Sequence, residues 1–86
     1  MQKRTYFWMK PDKRKELQDG RTVAHIAELS GYARQYLNYI FLGKMGATRN
    51  CVERIINAMS GDSLNIALML NQKGMNQVIQ YFFEEE

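Results

Sequence analysis

Between residues 22 and 59 the apolar positions recur at helical spacing in three successive segments, each followed by a glycine. The first covers residues 22–30, with Thr22 as an N-cap and Val23, Ile26, Ala27 and Leu29 near a 3.6-residue period. Gly31 then marks a sharp turn. Residues 33–42 form the second segment, with Leu37, Ile40 and Phe41 on one face and Arg34, Gln35, Asn38 and Tyr39 on the other. Gly43 supplies a C-cap and Lys44-Met45-Gly46-Ala47 a loop. Thr48 caps the third segment, 49–59, whose Val52, Ile55, Ile56 and Met59 turn inward, and Gly61 is expected to end it.

The flanks are less regular. Tyr6, Phe7, Trp8 and Met9 suit a short strand or an arm packing an apolar face. Pro11 and Asp12 open a charged helix over 11–19, anchored by Leu17 and ended by Gly20. Asp62 or Ser63 caps a fifth helix whose Leu64, Ile66, Ala67, Leu68, Met69 and Leu70 are apolar nearly all round, which predicts burial on more than one side. In the last segment Val78, Ile79, Phe82 and Phe83 have helical spacing, and a strand pairing with residues 5–9 is the alternative.

Composition narrows the chemistry. The 86 residues fit one domain, with no repeat or linker. One cysteine, Cys51, excludes an internal disulfide framework and a four-cysteine zinc site. One histidine, His25, excludes a histidine-rich metal cage; beside core positions it reads as a partly buried structural residue. Cys51 reads as a small hydrophobe and the methionines as gap-filling core. No paired carboxylates, metal cluster or phosphate loop points to an enzyme, and no cofactor or small-molecule substrate is expected. The basic N-terminus lacks an apolar signal region and no run approaches membrane-spanning length, so a cytoplasmic location is expected. The net charge of +3 is uneven, +6 over residues 1–61 and −3 over 62–86, as for a cationic body facing a polyanion. No Asp or Glu occurs in the 17 positions from Arg34 to Asn50.

Two short helices joined by a tight glycine-containing turn make a helix-turn-helix pattern. Ala27 is small where the helices cross, Gly31 makes the turn, Tyr32 plugs the corner, and Leu37 and Ile40 anchor the second helix. With Thr22, Ile26, Gly43-Lys44, Thr48, Val52, Ile55 and Met59, these residues resemble the lambda-repressor/Cro-like, or xenobiotic-response-element, family over residues 22–59. Val23 stands where many members carry a phosphate-binding glutamine, and Ala33 where a hydroxyl residue opens the recognition helix. The resemblance implies an all-α fold of five or six short helices, with a small N-terminal/C-terminal strand pair as an option. Residues 1–61 would form the DNA-binding core with a basic arm, and 62–86 an apolar extension of the same domain.

By that resemblance Arg34, Gln35, Asn38 and Tyr39 would contact base edges in the major groove. Arg suits the paired acceptors of guanine, and Gln and Asn suit adenine. Thr22, Tyr36, Lys44, Arg49 and Asn50 would hold phosphates, and Lys3, Arg4, Lys10, Lys13, Arg14 and Lys15 could form an arm along the backbone. Because one such module reads only a half-site, a homodimer is expected, with Leu64, Leu68, Val78, Ile79, Phe82 and Phe83 at its interface. The function expected is a sequence-specific transcriptional regulator, of the phage or mobile-element repressor kind, binding double-stranded DNA at a palindromic operator. Two alternatives remain: a phage-type protein of this fold that inhibits a host protein, and an excisionase-like architectural DNA binder. The pattern of residues 49–59 argues against the second.

Overall fold

In the computed structural model, which describes residues 5–86, the regular structure is six α-helices and one two-stranded antiparallel sheet. Strand β1 (Phe7–Met9) leads through a 3₁₀ turn at Pro11–Lys13 into α1 (Arg14–Gln18). Then follow α2 (Val23–Ser30), α3 (Arg34–Phe41), α4 (Arg49–Asp62), α5 (Leu64–Lys73), α6 (Met75–Phe82) and β2 (Phe83–Glu85).

Three helix starts are fixed by hydroxyl caps. Thr22 Oγ1 accepts from the His25 amide at 3.1 Å, Thr48 Oγ1 from the Cys51 amide at 3.4 Å and Ser63 Oγ from the Ile66 amide at 3.2 Å. Ser63, not Asp62, is therefore the cap of α5. Ala33 opens α3 with no side-chain cap. Between α2 and α3, Gly31 adopts φ +81° and donates its amide to the Ala27 carbonyl at 2.8 Å. The expected inward faces of these helices are buried: Ile26 and Ala27, then Leu37, Ile40 and Phe41, then Val52, Ile55, Ile56 and Met59.

Two boundaries differ from expectation. Helix α4 continues through Gly61 to Asp62. Helix α1 is short, with Leu17 fully buried, and the left-handed residue that ends it is Asp19 at φ +49°, ahead of Gly20. Asp19 is held there by its own bonds: it accepts from the Ser63 hydroxyl at 2.5 Å and from the Asn65 amide at 3.3 Å.

The largest correction concerns the C-terminal segment. Its two alternative readings are both realised in part, as α6 followed by β2. Val78, Ile79, Phe82 and Phe83 are all buried, at most 1% exposed, within one cluster that also holds Ile26, Leu37 and Ile55. They complete the chain's own core and cannot supply a dimer interface in this fold. Residues 62–86 and the helices before them thus share a single core. The reverse holds for α5, expected to be covered on several sides. Only Ile66 is buried there, while Leu64 is 74% and Leu68 48% exposed.

Strand β1 pairs with β2 in the register Phe7–Glu85, Trp8–Glu84 and Met9–Phe83. Phe7 also exchanges two backbone bonds with Ala47, each 2.8 Å, in the loop after α3. Gly46 lies under Trp8 in that loop: a Cβ placed on it would fall 2.9 Å from Trp8 Cε2. β1 is therefore a clasp between the end of the chain and the segment that follows α3.

A second set of ties joins the ends of α1, α2, α4 and α5. The Arg21 guanidinium binds both the carboxylate and the carbonyl of Asp62, and also the Asp19 carbonyl at 2.8 Å. His25 Nε2 lies 3.2 Å from the same Asp62 carboxylate. His25 is exposed, so its expected place beside the core is corrected: it rides on the surface of α2 over Asp62. Arg21 above all, then His25, holds the Asp62 carboxyl below its ordinary value.

Candidate nucleic-acid interface

The face of α3 opposite Leu37, Ile40 and Phe41 carries Arg34, Gln35, Asn38 and Tyr39, all exposed. Their spacing of i, i+1, i+4 and i+5 makes one stripe about a third of the helix circumference wide. The structure brings the four together on a surface that no other described element covers. Gln35 Nε2 donates to Tyr39 Oη at 3.2 Å, so the two lie side by side. Arg34 and Asn38 make no side-chain hydrogen bond or ion pair with the described residues.

The fixed position of α3 comes from both of its ends. At its start, Tyr32 packs against the core and against Tyr36, with ring centroids 5.5 Å apart. The Arg54 guanidinium of α4 sits 4.8 Å from the centre of the Tyr32 ring, a cation–π contact that holds the turn onto α4. At its end, Gly43 at φ +74° reverses the chain, and the Lys44 amide donates to the Tyr39 carbonyl at 2.9 Å. The clasp at Gly46 and Ala47 then pins the loop.

The residues expected at phosphates divide into three groups. Lys44 is exposed just past the stripe and has no ion pair among the described residues. Asn50 is exposed at the start of α4. Thr22 is exposed, with its hydroxyl oxygen engaged as the α2 cap. Arg49 is not a free cation: its Nε binds Glu53 Oε2 at 2.6 Å and its Nη2 binds Asn76. The open groove beside it, of about 690 Å³, is also lined by Glu53 and Glu85. Tyr36 is corrected. It is half-buried, packed against the core, with its hydroxyl beside the Cys51 thiol, and burial above all pushes its pKa up to about 12. It packs against the core and against Tyr32 and so helps to position α3.

The expected basic arm is also revised. Lys10 Nζ donates to the Gln80 carbonyl at 2.7 Å, and Lys13 Nζ to Tyr81 Oη at 3.2 Å, so both turn to α6. Lys3 and Arg4 lie outside the described residues. Cys51 is buried with its thiol pKa raised by desolvation, as suits a small core residue.

One residue of this surface went unnoticed in the sequence. Leu42, directly after α3, is 53% exposed and lies eight residues beyond Arg34 and four beyond Asn38, in line with the stripe at its C-terminal end. The same helical spacing that selected Asn38 could have found it. Among the described residues no three His, Cys, Asp or Glu side chains converge to hold a metal ion, and no helix is long and apolar enough to cross a membrane. Compared with protein-family models, curated proteins and solved structures, the chain finds no match in any of the three.

Proposed function

We propose that this chain is a sequence-specific DNA-binding regulator in which α2, the Gly31 turn and α3 act as a helix-turn-helix of the lambda-repressor type. The observation that carries the reading is the uncovered polar stripe of α3, set in a stretch with no carboxylate from residue 34 to 50. A B-DNA major groove admits one α-helix, and its base edges offer donors and acceptors matching Arg34, Gln35 and Asn38. Lys44, just past α3, and Asn50, at the start of α4, are exposed and would be the residues to meet phosphates.

The reading includes a homodimer. Leu64 and Leu68 stand one turn apart on α5, exposed, with Asn71 beyond them and Ile66 facing the core. A two-fold dimer would set this stripe against its own copy in a self-complementary contact. The proposed interface is therefore centred on Leu64 and Leu68. The reading extends to a repressor of the phage or mobile-element kind.

The test is selection of bound duplexes from a random pool, followed by sedimentation of the protein with a selected duplex. Enrichment of a palindrome bound by two copies supports the proposal. A pool that remains random, or a protein whose binding is unaffected by salt, rejects it in favour of a protein partner, because phosphate contacts release counterions and weaken steeply as salt rises.

A further inference from the structure

Leu42 gives the α3 stripe an apolar C-terminal end, 53% exposed, and Tyr39 before it in sequence and Met45 after it are 39% and 37% exposed. Single exposed leucines are ordinary on a protein surface, so the surroundings of this one decide what it would suit. Arg34 stands at the start of the same stripe and Lys44 two residues past Leu42, and no carboxylate occurs between them in sequence. The charge complements a polyanion. The one apolar group that a major groove presents is the C5-methyl of thymine. Resting on the DNA-binding reading above, we propose that Leu42 is a specificity-determining residue that reads thymine by packing on its methyl group, with Tyr39 and Met45 bounding the contact.

The division of labour follows the helix axis. Arg34 and Gln35 at the start of α3 read polar edges, whereas Leu42, about 12 Å farther along at 1.5 Å per residue, reads an apolar one. The preferred half-site therefore places thymine several base pairs away from the positions read by Arg34 and Gln35. Leu42 makes no contribution to the core, since its neighbours Ile40 and Phe41 supply that face.

Replacing thymine by deoxyuridine removes only the methyl and keeps the pairing and the groove acceptor. The experiment uses the best duplex from the random-pool selection, with each thymine exchanged singly for deoxyuridine, against the wild type and Leu42→Ala. The wild type should lose about fourfold in affinity at one position per half-site, as expected for one methyl group withdrawn from an apolar contact. Leu42→Ala should bind the thymine duplex more weakly and be indifferent to the exchange at that position. Met45→Ala is a second variant with the same sign and a smaller effect. Selective binding with no response to deoxyuridine overturns the methyl contact while leaving the DNA-binding reading intact. An equal response in wild type and Leu42→Ala also overturns it, because the methyl would then act through duplex shape. Absence of any preferred duplex rejects both readings and assigns the patch to a protein partner.

Discussion

Tyr39 accepts a hydrogen bond from the side-chain amide of Gln35, Nε2 to Oη at 3.2 Å, one turn apart on the exposed face of α3. A primary amide has two N–H groups, so this bond leaves Gln35 one donor and its carbonyl, which in the proposed DNA complex would meet adenine. Tyr39 thus limits the rotamers of Gln35 in the free protein. Tyr39→Phe keeps the ring and removes the acceptor. It should reduce preference for adenine at the Gln35 position by about two- to tenfold, the range for one neutral hydrogen bond. In Gln35→Ala the Tyr39→Phe change should add nothing, which competition binding with single-base variants would measure.

On the same proposal Lys44, exposed past the α3 stripe, would hold a phosphate. Lys44→Ala should weaken binding to all duplexes alike and lower the slope of log affinity against log salt by about one. Arg34→Ala should instead weaken binding and relax base choice at one position. A titration at several salt concentrations on matched and mismatched duplexes separates the two effects.

Gly31 and Gly61 look alike in the sequence and are opposite in the structure. Gly31 sits at φ +81°, where a side chain is strained, and its Cβ would approach Arg54 Nη2 at 2.8 Å. Gly31→Ala should cost about 1–2 kcal/mol. Gly61 lies inside α4 with nothing within 4 Å of a Cβ. Gly61→Ala should therefore stabilise by about 0.5–1 kcal/mol. Urea unfolding of the two variants checks both signs.

Acid should weaken the ties among α1, α2, α4 and α5. Asp62, chiefly through Arg21, and Asp19, chiefly through the Ser63 hydroxyl, have carboxyls held below the ordinary 3.8. Such groups contribute stability that is complete above the unfolded-state value. As pH falls through that value the unfolded chain takes up protons first, and the contribution is lost toward the lower folded values. Melting temperature should hold steady from neutral pH down to about 5 and drop below about 4. Asp62→Asn should flatten part of that drop in melts followed by circular dichroism.

The helices from Thr22 to Met59 were legible because caps, apolar period and turn glycines all act within a few residues of one another. The α3 stripe was legible for the same reason. The failures share a different cause. The run from Leu64 to Leu70 is apolar on every side, but which flank is covered depends on where α4 and α6 lie, and composition does not encode that. Val78, Ile79, Phe82 and Phe83 looked surplus because the core they fill is assembled from distant segments. Tyr36 was read outward because helical spacing alone does not reveal the Cys51 thiol it meets. Gly61 was read as a stop, yet a glycine within a helix carries only a modest cost when its neighbours continue the hydrogen-bond ladder.

The backbone bonds of Phe7 to Ala47 on one side and to β2 on the other impose an order of assembly. During synthesis Phe7 can pair with Ala47 at mid-chain, but the ladder of the first strand closes only when residues 83–85 leave the ribosome. Until then the strand that holds Gly46 and Ala47 is itself fastened on one side only. A chain cut before residue 83 would consequently lose the buried Phe83 together with the second side of the clasp, so the loop after α3 gains its final support last.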